Sequence, residues 1–180
     1  MALLAVVCGT TLTGCAEGGN VQEDPGEKKP RTREEEAARE DAKTVSSQIL
    51  NVIDLNGKVT EPGPGIATCG PENSDTRFKV KHPWSVYDVP EEDMEAAMER
   101  LKKDLPERGW KIVSYGPNRS PARSLQLIAD YKHGHKQFSV NITFLDKRDK
   151  DGDSGHKSLI NVNLVSACFE VPEGQKVKGF

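Results

Sequence analysis

The sequence predicts an α+β fold: an antiparallel sheet of about four to five strands covered by a helix in a two-layer sandwich, with an additional N-terminal helix. Two observations carry this. Several segments beyond residue 110 alternate apolar and polar residues, as strands with one buried and one wet face do. Two earlier segments place apolar residues at helical spacing, which gives the sheet something to bury its apolar face against.

The chain opens on Ala2 to Leu12, an uncharged and mostly apolar run too short to cross a bilayer of about 30 Å. It reads as the apolar region of a signal peptide over residues 1–14. It ends in Leu12-Thr13-Gly14-Cys15, which resembles the lipobox of bacterial prolipoproteins. That resemblance implies a diacylglyceryl group on the Cys15 thiol and removal of the signal before it. Two acyl chains matter, because one alone anchors only marginally. Residues 15–33 then form the lipidated cysteine and a polar tether, whose Gly, Pro and charge content cannot bury enough apolar surface to offset chain entropy. With Cys8 lost and Cys15 lipidated, Cys69 and Cys168 remain as an even pair in an oxidising compartment. They are expected to form a disulfide; two unpaired thiols are the alternative.

A single domain is expected over residues 34–172, with 173–180 as a C-terminal tail. Thr32-Arg33-Glu34-Glu35 has capping-box spacing, so the first helix should begin near Thr32. Val45, Ile49, Val52 and Ile53 share one face, so its C-terminal half should dock, with Asn56-Gly57 as the stop. Lys58–Thr60 is strand-like, Glu61-Pro62-Gly63-Pro64-Gly65 is a breaker cluster, and a short segment Ile66–Cys69 follows. Thr76–His82 alternates as a strand expected to end before Pro83. Pro90 and Glu91-Glu92-Asp93 open the central helix, whose apolar face is Met94, Ala97, Met98, Leu101 and Leu105, ending near Arg108-Gly109. Trp110–Tyr115, Ser124–Tyr131, Gln137–Leu145 and Ser158–Phe169 are the later strands, joined by hairpins at Lys132–Lys136 and Asp146–Lys157.

The order of these features, from the lipobox through Leu55-Asn56-Gly57-Lys58-Val59 to Ser166-Ala167-Cys168-Phe169, resembles small lipoproteins of streptomycetes and related actinobacteria. The resemblance implies a compartment, the extracytoplasmic face of the cell membrane, and no particular activity.

A formal net charge of −3 and the lack of a basic stripe argue against a nucleic-acid partner. His133 and His135 offer two imidazoles, with His82 and His156 as distant helpers, but Lys132 and Lys136 beside them oppose a cation, so neither a metal nor any other cofactor is expected. The same hairpin tip suits lipid headgroups or wall polymers instead. Trp84 and Tyr87, placed in a loop before the central helix, would form an aromatic platform for a sugar or peptide. Asp149–Gly155 has the composition of a calcium loop, but counting from Asp149 the sixth position is Ser154 and the twelfth Ile160, so a charged hairpin loop is the better reading. No Gly-x-Ser-x-Gly elbow, phosphate loop or His-Glu-x-x-His signature is present. The sequence therefore points to a non-catalytic envelope module that binds a protein, lipid or wall component. An envelope hydrolase or transferase with an unfamiliar site stands second.

Overall fold

A computed structural model of the chain describes residues 30–60, 62–71, 74–148 and 157–179. The signal segment, Cys15, the tether to residue 29, the Asp149–Gly155 loop and His156 lie outside the described residues. In chain order the elements are β1 (Arg31–Thr32), α1 (Glu35–Ile53), β2 (Lys58–Val59), β3 (Gly65–Thr68), β4 (Arg77–Tyr87) and α2 (Glu91–Asp104). A 3-10 turn at Pro106–Arg108 leads to β5 (Trp110–Pro117), β6 (Leu125–His133), β7 (Lys136–Leu145), β8 (Leu159–Ser166) and β9 (Phe169–Glu170). The fold is mixed α and β. Among the described residues its sheet has nine strands, more than the expected four to five, in the order β1-β9-β4-β8-β7-β6-β5, with β2 and β3 on the other edge of β4. The extra strands are mostly two-residue pairings too short to leave a periodic signal. All pairings are antiparallel except β1 with β9.

One face of the sheet joins the core. Trp84, Val86, Ile160, Val162, Leu164, Val140, Ile142, Phe144, Leu127 and Ala129 are all buried, each in register with another of the set across the strands, and the buried Phe138 continues the same face between Tyr131 and Ser166. Against them lie the buried residues of α1 and of α2. Helix α1 packs against α2, β4 and β8, and α2 reaches β7. In β5 the register shifts between Ile112 and Ser114, a bulge that turns Ile112 and Tyr115 to the same side and leaves Val113 56 % exposed.

Four local expectations are corrected. Helix α1 starts at Glu35 rather than near Thr32, because Arg31 and Thr32 pair with Phe169 and Glu170 and Arg33 N donates to Glu170 O at 2.8 Å. Glu34 is the N-cap and makes no side-chain capping bond. The helix ends one turn before the anticipated stop: Asp54 takes the left-handed conformation, φ 47°, and donates its N–H to Leu50 O. Gly57 serves close packing instead, since a Cβ there would lie 2.3 Å from Val89 Cγ2 and 2.6 Å from Tyr87 O. The docked stripe of α1 also reaches back to Ala38 and Ala42, whose small side chains carry little signal in an apolar count.

The third correction concerns β4, which runs through Pro83 to Tyr87. Ser85 exchanges hydrogen bonds with Thr60 on the β2 side, so Pro83, two residues back, turns its nitrogen to the same edge. There the partner changes from β3, last paired at Lys81, to β2, first paired at Val86. The missing N–H therefore faces a gap and costs no ladder bond. Fourth, the terminal strand is broken at Ala167-Cys168 into β8 and β9, which pairs with the start of β4.

The expected disulfide between Cys69 and Cys168 is present, with Cα atoms 5.9 Å apart and a sequence separation of 99. It joins the ends of two segments, β3 and β9, that flank Phe78 of β4. Residues 173–179, anticipated as a tail, are held against the domain: Val177 N donates to Asp75 O at 2.8 Å, Lys178 N to Glu35 Oε1 at 2.7 Å, and Val177 packs on the core.

Candidate functional site

The gap in the sheet edge opposite Pro83 is also where a cavity of about 370 Å³ opens. Lys43, Ser46, Ser47 and Leu50 line it from α1; their i, i+3, i+4, i+7 spacing puts them on one helical ridge. His82 and Trp84 line it from the inner face of β4, two residues apart as a strand requires. Val59, Thr60, Gly63 and Pro64 close the side where β2 passes into the loop before β3. The walls at Leu50, Val59, Pro64 and Trp84 are apolar, and Lys43 is the charged group on the lining.

A hydrogen-bonded chain forms the floor. Trp84 Nε1 donates to Ser46 Oγ at 3.2 Å, and Ser46 Oγ lies 2.8 Å from His82 Nδ1. An indole N–H can only donate, so Ser46 accepts from Trp84, and its hydroxyl links the indole to the His82 ring in one polar chain. Burial pushes the His82 pKa below its ordinary value of 6.5; a hydrogen bond with the Ala42 backbone opposes the shift, and the Lys43 charge adds to it. Ser46 is 5 % exposed and Trp84 4 %, so this polar chain lies at the base of the cavity rather than at its mouth.

The aromatic platform expected of Trp84 and Tyr87 is not formed. Both belong to β4 rather than to a loop, and residues three apart in a strand face opposite sides: Trp84 is core and Tyr87 is half-buried on the outer face. The hairpin tip is also more constrained than a solvated turn. Gly134 takes the positive φ, 58°, that the first central position of a tight hairpin requires. Arg31 Nη1 donates to Gly134 O at 2.6 Å, and Asp41 of α1 holds Lys136 at 3.2 Å, His135 Nε2 at 3.1 Å and Arg33. Burial raises the Asp41 pKa, but Arg33 and Lys136 outweigh it and hold the carboxyl below the usual carboxylate range. Lys136 and His135 are thus engaged within the protein, while Lys132 and His133 are exposed. Among the described residues no three His, Cys, Asp or Glu side chains converge as a metal would need, and no helix is long and apolar enough to cross a membrane.

Sequence reasoning did not single out Lys43, Ser46 or Thr60, and gave His82 only a distant metal-helper role. One signal was available: Ser46 is a polar residue inside the apolar stripe formed by Ala42, Val45 and Ile49, and His82-x-Trp84 repeats at strand period. The chain matches no family model, and neither a curated protein nor a solved structure is significantly similar to it.

Proposed function

We propose that this protein is a lipid-anchored, extracytoplasmic binding module of the cell envelope, built as a two-layer α+β scaffold, that takes a small amphipathic ligand in the cavity between α1 and β4. The observation that carries this reading is the lining of that cavity. It combines apolar walls with a few convergent polar groups, the usual composition of a small-molecule site. With Lys43 as the charged group and a neutral His82 on the floor, it suits an apolar body ending in a carboxylate or similar anionic group. The anchor rests on the lipobox at Cys15. Trp84 reports on occupancy: titration with a medium-chain fatty acid should change tryptophan fluorescence in the parent and not in Trp84→Phe, where Trp110 remains. An unchanged parent signal rejects an amphipathic ligand.

A hydrolase is the second reading, favoured by the 2.8 Å Ser46–His82 contact, which has the reach of a nucleophile and its base. The ring is oriented by a backbone group rather than a carboxylate, and Ser46 sits in mid-helix, away from the free N–H groups that would stabilise an oxyanion. Binding is therefore preferred. Covalent labelling of Ser46 by a fluorophosphonate, lost in His82→Gln, would reverse that order.

A further inference from the structure

The face of the sheet that does not join the core carries an uncharged, hydrogen-bonding band. Strand register sets Ser85, Asn161, Thr143 and Gln126 in one row across β4, β8, β7 and β6, with Asn163 and Asn141 paired in the next. These six are uncharged in a chain that is 29 % charged. They also hold one another in place: Gln126 Nε2 and Thr143 Oγ1 donate to Asn141 Oδ1 at 3.0 and 3.1 Å, Asn161 Nδ2 donates to Ser85 Oγ at 3.1 Å, and Asn163 Nδ2 donates to Asn161 Oδ1. Asn141 Nδ2, Asn163 Oδ1 and Gln126 Oε1 have no partner among the described residues and remain available on a pre-ordered surface.

We propose that this band binds a neutral β-1,4-linked glycan strand laid across the β-strands, one sugar ring per strand. Neighbouring strands lie about 4.8 Å apart, close to the length each pyranose adds to an extended chain of that linkage. A row of amides and hydroxyls at that spacing meets successive sugar hydroxyls or acetamido groups. Lack of charge on the band disfavours a polyanion, and a sheet face, unlike an edge, offers a peptide no backbone ladder to extend. Tyr87, on the same face two residues further along β4 and one row over, flanks the Ser85 end of the row, where the edge of a terminal sugar ring can rest against it.

The test is a ¹⁵N-resolved NMR titration of the full chain, carrying Cys15→Ser to avoid lipid, with chitohexaose and with cellohexaose. At least one should shift the side-chain amide signals of Asn141, Asn163 and Gln126 while leaving the Trp84 indole unmoved. The double variant Asn141→Ala/Asn163→Ala, its fold checked by circular dichroism, removes both the free Asn141 Nδ2 donor and the free Asn163 Oδ1 acceptor and should bind about tenfold more weakly, the loss of two ordinary hydrogen bonds. No amide shifts at millimolar glycan, shifts confined to the α1–β4 cavity, or unchanged affinity in the folded double variant would each overturn the proposal.

Discussion

Ser46 stands at the point where stability and the proposed site meet. Replacing it with Ala removes the acceptor of the buried Trp84 N–H and the partner of His82 Nδ1 together. A buried polar group left unpaired costs about 1–3 kcal/mol, so Ser46→Ala should lower stability by that order in urea denaturation. If Ser46→Ala leaves the urea midpoint unchanged, the floor chain does not hold the helix to the strand. His82 adds a pH dependence whose direction is fixed. Its folded pKa is lowered, so the unfolded chain binds the proton first; stability is complete above about pH 6.5 and falls as pH drops through the folded value. His82→Gln should flatten that part of the stability profile between pH 7 and pH 5, and an unchanged slope would show that the titrating group lies elsewhere. Little of this was legible in the sequence beyond a polar Ser46 inside an apolar helical stripe and the strand spacing of His82 and Trp84. A lone Ser and a lone His, 36 residues apart, acquire meaning only when α1 crosses β4.

At the scale of elements, periodicity was legible and pairing was not. The α2 face from Met94 to Leu105 and the alternation of β6, β7 and β8 were readable because each element carries its own repeat. Missed features depend on residues far away in the chain: β1 exists because β9 passes beside it, and β4 continues through Pro83 because its neighbour on that side is missing for a few residues. The clamp at the β6–β7 hairpin is of the same kind, joining Asp41 of α1 to Lys136 of β7 and to Arg33 between β1 and α1. Asp41→Asn should loosen it, seen as faster amide hydrogen exchange at Gly134 and His135 with little change in β8. The same clamp weakens with acid: the lowered Asp41 pKa gives stability that is present above the ordinary carboxylate range and lost as pH falls through the folded value. The parent hairpin should therefore exchange like the Asn variant at low pH. Equal protection in the two proteins at neutral pH would mean that the turn alone, through Gly134, holds the hairpin.

For the molecule as a whole, the Cys69–Cys168 bridge was the one long-range contact the sequence supplied, and it came from counting cysteines rather than from periodicity. It links the end of β3 to the break between β8 and β9, so it closes most of the folded chain into one loop of sequence separation 99. In the chain-entropy account, a loop of about 100 residues restricts the unfolded ensemble enough to contribute about 4.7 kcal/mol. Both of its ends already lie beside β4 through strand pairing, so removing the bridge should leave the folded state largely as it is and release the unfolded one. That mechanism makes two joint demands on a Cys69→Ser/Cys168→Ser variant. The urea midpoint must fall, by up to the equivalent of that energy. The slope of the transition must rise, because a chain freed of its crosslink exposes more surface when it unfolds. Reducing the parent protein with dithiothreitol should reproduce both changes. A lower midpoint with an unchanged slope would instead place the bridge's contribution in the folded state, at the junction of β3, β4 and β9, and would reject the loop-closure account of how this sheet is held.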